Sequence, residues 1–190
     1  MQPIYDYLFP SMWLCYMAYW WAKSSNVKAS DRIESVWSRL LRLAAIICAV
    51  VLLLLPSIPL PLLCNRFVPR GPVGFGVGAA ITAVGLLFSI RARCYLGSNW
   101  SQAVTVKENH ELITSGPYAL VRHPIYSGLL LGFLGSAVAR GEWRGLLAVA
   151  LIFIPLWFKL RLEEAWMRKK FGETYETYSR RVAALIPFVL

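Results

Sequence analysis

Two stretches of this chain carry most of its chemically able side chains. The first, Gly116-Pro117-Tyr118-Ala119-Leu120-Val121-Arg122-His123-Pro124-Ile125-Tyr126-Ser127-Gly128, holds an arginine, one of two histidines, two tyrosines and two prolines. Proline suits the first turn of a helix, so Pro124 predicts a helix starting near His123, with unsatisfied N–H groups beside Arg122. A helix start next to Arg and His forms an anion site. Topological flanking of an apolar helix by Arg and His explains the same residues, and spacing alone leaves both readings open. The second stretch is Glu163-Glu164, two of only ten acidic residues. Adjacent helical positions point about 100° apart, so one carboxylate should face inward, able to accept from an ammonium or from ribose hydroxyls. Ion pairs with Lys159, Arg161, Arg168 or Lys169 at helical spacing are the plainer alternative.

These residues must be positioned by apolar elements. The 190 residues are 57% hydrophobic and 16% charged, and mean hydropathy is +0.52. Soluble domains average about 45–50% apolar and about 25% charged. The composition predicts an all-α integral membrane protein forming one domain. A bilayer crossing takes about 20 mostly apolar residues. About five transmembrane helices are expected, near 4–22, 40–63, 73–90, 125–139 and 146–160, the last two a helical hairpin turning at Arg140–Gly145. The second should break near Pro56. Glycines at 74, 76, 78 and 85, and at 128, 132 and 135, predict close helix packing.

With five spans, 16 of the 20 Lys and Arg residues fall on one side, and only Arg66, Arg70, Arg140 and Arg144 on the other. The positive-inside rule then puts the N-terminus outside and the C-terminus in the cytoplasm. The net charge of +10 is accounted for by topology and anionic lipid, with no nucleic-acid partner. No cleavable signal is expected, since 4–22 reads as a retained span. Cys15, Cys48, Cys64 and Cys94 lie in or beside apolar runs without metal-ligand spacing. Segments 97–121 and 161–190 should meet at the cytoplasmic face. The latter reads as a helix continuing from the fifth span to a stop at Gly172, then a loop folding Tyr175, Tyr178 and Ile186–Phe188 back onto the membrane surface.

Taken in order, His110-Glu111-Leu112-Ile113-Thr114-Ser115-Gly116-Pro117-Tyr118, Arg122-His123-Pro124-Ile125-Tyr126-Ser127-Gly128, Glu163-Glu164, Phe171-Gly172-Glu173-Thr174-Tyr175 and Ile186-Pro187 resemble the isoprenylcysteine carboxyl methyltransferase and phospholipid methyltransferase family. The resemblance covers roughly 96–187. It implies S-adenosylmethionine (SAM) as methyl donor, contacted by His110, Glu111, Leu112, Ile113, Tyr118, His123, Pro124, Ile125, Tyr126 and Glu163, with Lys107 as the nearest match to a further polar contact. It also implies a lipid-like or prenylated acceptor entering from the bilayer.

Where the family's prenylcysteine enzymes carry an arginine before the Glu pair, this chain has Lys159, with Arg161 two residues on. Lysine cannot form the bidentate carboxylate fork. A carboxylate acceptor needs a cation, the expected role of Lys159 or Arg161, with Arg122 alongside. An amine acceptor, as in phosphatidylethanolamine, needs a base, for which Glu164 is the candidate. An NADPH-dependent sterol-type reductase shares an Arg-His-x-x-Tyr element, and a non-enzymatic scaffold or transporter would share the spans. The Glu pair followed by Phe171-Gly172 and Tyr175 favours the methyltransferase.

Overall fold

The apolar runs fold as helices, and prolines and glycines set most of their ends. A computed structural model describes residues 2–23, 36–54, 61–97 and 112–189. Among these the helices are α1 (Gln2–Ala22), α2 (Val36–Leu54), α3 (Pro61–Cys64), α4 (Pro72–Leu96), α5 (Pro117–Leu120), α6 (Pro124–Arg140), α7 (Trp143–Phe171) and α8 (Glu173–Arg181). The described residues contain no strand, only an isolated bridge between Arg66 and Glu142.

Helices α2, α4 and α7 are long and apolar enough to cross a bilayer, and the chain is an integral membrane protein by composition and architecture. Helix α6 has 17 residues, roughly 25 Å at about 1.5 Å per residue, slightly under the ~30 Å of a bilayer core. The long helices alternate in direction. Phe9 meets Phe75 edge to face and Tyr19 meets Cys94, so α1 runs parallel to α4. The Arg140 guanidinium reaches the Leu53 carbonyl at 2.6 Å, which places the end of α2 beside the end of α6.

Helices α4 and α6 are antiparallel and nearly touch. A Cβ built on Gly85 would lie 2.6 Å from the Gly128 carbonyl, and one on Gly128 would lie 2.5 Å from the Gly85 carbonyl. Gly78 abuts Ala139 and Gly135 in the same way. These contacts put backbone against backbone, the packing available to helices that have no hydrophobic drive to associate within lipid. Thr82 and Ser136 lie along this seam; Trp13 of α1 donates to Ser136 at 3.1 Å, and Tyr16 bonds Ser89 at 2.8 Å. The apolar core proper lies between α2, α6 and α7, around Ala49, Leu53, Phe133, Ala148 and Ile152.

Several expected boundaries shift. Within the second apolar segment α2 is described to Leu54 and α3 from Pro61; the break expected near Pro56 lies outside the described residues. Helix α4 runs six residues beyond the expected 90, to Leu96. The α6–α7 hairpin turns through Gly141 in the left-handed region at φ +72°, as the sequence suggests. Helix α7 continues to Phe171 and stops at Gly172, φ +52°. The expected loop after it is instead α8, whose Tyr175 and Tyr178 turn inward while Ile186 and Phe188 stay exposed.

Candidate active site

Three elements meet at one end of the bundle: the amino end of α6, the last turns of α7, and α8 with the segment after it. Pro124 at the first helical position fixes the start of α6, and His123 is its N-cap. Helix α7 runs without a break past the core, so both Glu163 and Glu164 reach this end on one rigid element.

Glu164 is enclosed, with 3% of its side chain exposed. The Arg122 guanidinium grips its Oε1 through Nε, at 2.7 Å, and Nη2. Arg168 reaches Oε2 at 3.3 Å from one turn on. The remaining Arg122 nitrogen, Nη1, donates to the Ser179 carbonyl at 2.9 Å and to that of Val182. Arg122 therefore ties α7 to the end of α8. A planar fork with fixed donors can serve both partners at once.

Glu163 keeps 22% of its side chain exposed. Its Oε1 accepts from the Tyr126 hydroxyl at 2.6 Å, and Lys159 lies 3.8 Å away. The Lys159 ammonium also sits over the Tyr126 ring, 5.4 Å from its centre. His123 stacks flat on Tyr126, rings 5.5 Å apart and within 1° of parallel. Its Nδ1 is 3.5 Å from Glu163 and its Nε2 is 3.5 Å from Glu164. Burial alone would lower the His123 pKa; Glu163 and then Glu164 outweigh it, so the net shift is upward from the ordinary 6.5. Burial also raises the Tyr118 phenol and brings that of Tyr178 to about 12. Both remain neutral donors at physiological pH, and Tyr178 donates to the Tyr118 carbonyl at 2.6 Å.

The free helix start expected from sequence is corrected here. The Arg122 N–H donates to the Ala183 carbonyl at 2.8 Å and the His123 N–H to that of Ala184 at 3.0 Å. Ser127 Oγ reaches the Leu185 carbonyl at 2.6 Å. The segment after α8 is thus a strap laid over the mouth of α6, and it takes up the N–H groups of Arg122 and His123.

The other predicted residues divide by position. Pro124 is buried and Ile125 half-buried in the first turn of α6. Leu112 and Ile113 are half-buried in non-helical chain leading to the Gly116 turn. There φ is +60°, and a Cβ would strike the Tyr95 ring at 2.7 Å. Tyr118 is buried in α5, with Tyr178 and Glu163 among its electrostatic neighbours. Arg161 is exposed and stacks over Trp157, away from the cluster that holds Lys159. Lys107, His110 and Glu111 lie outside the described residues. Sequence reasoning missed Arg42, half-buried near the start of α2 and close enough to act on the Tyr126 phenol. It also missed the strap, whose side-chain signals were Arg122 and Ser127, one helical turn after His123.

The arrangement offers one reachable carboxylate, one enclosed carboxylate and an imidazole between them, walled by aromatic rings. It suits a polar ligand carrying a cationic group. The phospholipid methyltransferase family profile matches residues 73–174, just over half of the chain and all of α6 and α7.

The chain belongs to the phospholipid methyltransferase family.

Over 99 residues it is 37% identical to the protein-S-isoprenylcysteine O-methyltransferase of Schizosaccharomyces pombe, covering 49% of this chain and 41% of that one. Over 116 residues it is 32% identical to a probable protein-S-isoprenylcysteine O-methyltransferase of Oryza sativa subsp. indica, covering 60% and 61%. The phosphatidyl-N-methylethanolamine N-methyltransferase of Emericella nidulans is 35% identical over 69 residues, covering 36% and 31%. The matched region thus spans less than two thirds of each relative's length. Within this family member, the Glu pair, His123 and Tyr126 fall inside the profile match, whereas the strap at 182–185 falls outside it.

Proposed function

We propose that this protein transfers a methyl group from SAM to a lipid-like acceptor, at the end of the bundle where α6, α7 and the strap meet. The observation that carries the reading is the Tyr126–Glu163–His123 arrangement, set across the helix pair that the family profile covers. On this reading the bundle crosses the membrane five times and this end faces the cytoplasm, where the donor is available. The alternating helix directions and the charge bias support that topology.

The residues fit the donor. Glu163 is the carboxylate a ligand ammonium can reach. His123 Nε2 is buried and has no hydrogen-bond partner among the described residues, its 3.5 Å approach to Glu164 being long. Tyr126, Leu112, Ile113, Pro124 and Ile125 supply aromatic and apolar surface, and Tyr118 closes the far wall. Lys107, His110 and Glu111 complete the proposed contacts. Arg122 and Glu164 act as a positioning pair, holding α7 and the strap in register.

When bound, SAM supplies a methyl group already activated by its sulfonium, so the protein's work is to orient and to exclude water. Glu163 and Tyr126 fix the donor's amino-acid end, and the strap shields the start of α6 from solvent. A carboxylate acceptor, pKa about 3.5, is ionised at neutral pH and needs no base. It needs a nearby cation, which Lys159 provides. The preferred acceptor is therefore an isoprenylcysteine-type carboxylate.

One observation favours a second reading. Lys159 is already engaged by Glu163 and the Tyr126 ring, so an acceptor carboxylate would compete for it. An amine acceptor such as phosphatidylethanolamine would not. Labelled SAM offered with a farnesylcysteine analogue, phosphatidylethanolamine and membrane extract separates the two. Base-labile methyl ester on the farnesylcysteine analogue supports the first reading. Base-stable label in phospholipid establishes the second, and no transfer to any acceptor rejects both.

A further inference from the structure

The opposite end of the bundle holds a cleft that the methyl-transfer site does not use. Its volume is about 360 Å³, and Arg66, Arg70, Arg140 and Glu142 line it together with the first turn of α4. Arg144 stands behind Glu142, with Nε 2.5 Å from Oε2. Arg66 and Arg140 each approach the same carboxylate at 3.6 Å. These are the four basic residues that the charge pattern assigns to this side. Three of them, Arg66, Arg140 and Arg144, converge on the Glu142 carboxylate, and Arg70 lines the cleft beside them.

The backbone is built to hold them there. The Phe67 and Val68 N–H groups donate to the Gly141 carbonyl at 2.9 and 3.3 Å, and the Trp143 N–H donates to that of Asn65 at 3.1 Å. Gly141 sits so close that a Cβ there would lie 2.6 Å from Arg66 Nη2. The cleft lining itself presents three guanidinium groups and one carboxylate. Guanidinium donors match phosphate oxygens in geometry as well as charge. The amino end of α4 opens into the same cleft and adds partial positive charge.

The surroundings indicate where the anion comes from. Leu62, Val73 and Trp143 are exposed beside the cleft, and Trp143 packs on Phe67 at 5.5 Å. An exposed tryptophan with apolar neighbours at the end of a bilayer-crossing bundle marks the level of lipid headgroups. We infer that this arginine cleft binds a phosphodiester, supplied by the headgroup of an anionic phospholipid in the leaflet away from the methyl-transfer site.

The test uses the full chain in a phosphatidylcholine nanodisc and follows the thermal midpoint during titration. The probes are short-chain phosphatidylglycerol, matched phosphatidylcholine and inorganic phosphate. Saturable stabilisation by phosphatidylglycerol, with little from phosphatidylcholine or inorganic phosphate, is expected. Arg70→Gln, at the exposed rim, and Arg66→Gln should each weaken it by about tenfold, while Arg180→Gln on α8 leaves it unchanged. Equal effects of the two lipids, or wild-type affinity in both Arg66→Gln and Arg70→Gln, overturn the proposal. Inorganic phosphate binding as tightly as the anionic lipid overturns the lipid source and leaves a free-phosphate site.

Discussion

Tyr126 on α6 donates its phenolic hydrogen to Glu163 on α7 at 2.6 Å. This bond fixes the one carboxylate of the Glu pair that a ligand can reach. Removing the hydroxyl frees Glu163 to swing toward Lys159. Tyr126→Phe should therefore weaken SAM binding by about tenfold, the effect of one hydrogen bond to a charged group. Glu163→Gln should weaken it further. Calorimetric titration in detergent measures both, and wild-type affinity in the two variants would remove these residues from the cofactor site.

Arg122 behaves differently, because it satisfies Glu164 and two strap-side carbonyls at once. Arg122→Ala leaves an enclosed carboxylate without its main partner, a loss of about 3–5 kcal/mol. Arg122→Lys should recover little, since a single ammonium nitrogen cannot reach acceptors that three separate guanidinium nitrogens span. Thermal unfolding reads this directly. A fully stable Arg122→Ala protein that had lost only SAM binding would place Arg122 in the ligand shell instead.

The raised pKa of His123 gives a pH dependence of known sign. A folded-state pKa above 6.5 means the imidazolium's contribution is complete below the unfolded value. It is lost as pH rises through the folded one. The facing groups are Glu163, Glu164, Arg122 and Tyr126. Unfolding midpoints should fall across that interval in the wild type, and this limb should be absent in His123→Gln. A limb of the same size in the variant would assign the titration elsewhere.

Lys159 and Arg161 are close in sequence but not in environment. Lys159→Ala should reduce turnover more than SAM affinity, because its ammonium is the cation proposed to hold the acceptor carboxylate. Arg161→Ala should have little effect on either, since its side chain is exposed over Trp157. Steady-state kinetics of the two variants decides; the reverse ranking would move the acceptor to the outer face of α7.

The α4–α6 seam packs backbone against backbone. Gly85→Ala and Gly128→Ala each place a methyl group within 2.6 Å of opposing backbone. Overpacking of this kind costs about 1–3 kcal/mol, and here it also tilts the helix that carries His123 and Tyr126. Gly76→Ala, where a Cβ meets open space, is the matched control and should melt like the wild type. Equal melting of Gly85→Ala would show that the helices part without penalty.

Much of this was legible because it depends on local rules. Pro124 announces the start of α6, Gly172 the end of α7, and the glycines of 128–135 the face that meets α4. The pairing of Glu163 and Glu164 was legible only as a choice between facing inward and pairing along the helix. The structure does both, because a long helix running beyond the core can turn two adjacent side chains into the same junction. The strap was not legible. Its bonds run from the carbonyls of Ala183, Ala184 and Leu185, which carry no side-chain signature. Arg122 looked like a ligand for anions because two of its acceptors, the Ser179 and Val182 carbonyls, are backbone groups and the third, Glu164, lies 42 residues away. The Arg66–Glu142 junction was hidden for a related reason: it joins two turns that are distant in sequence, and no periodicity connects them.

The strap also sets an order of events during biosynthesis. Some 60 residues of chain separate Arg122 from Val182. When α6 leaves the ribosome, the N–H groups of Arg122 and His123 have no carbonyls to meet and must be served by water. They remain so until α7 has been laid down and α8 has turned back. Closure of this polar junction therefore has to wait until α7 and α8 are in place.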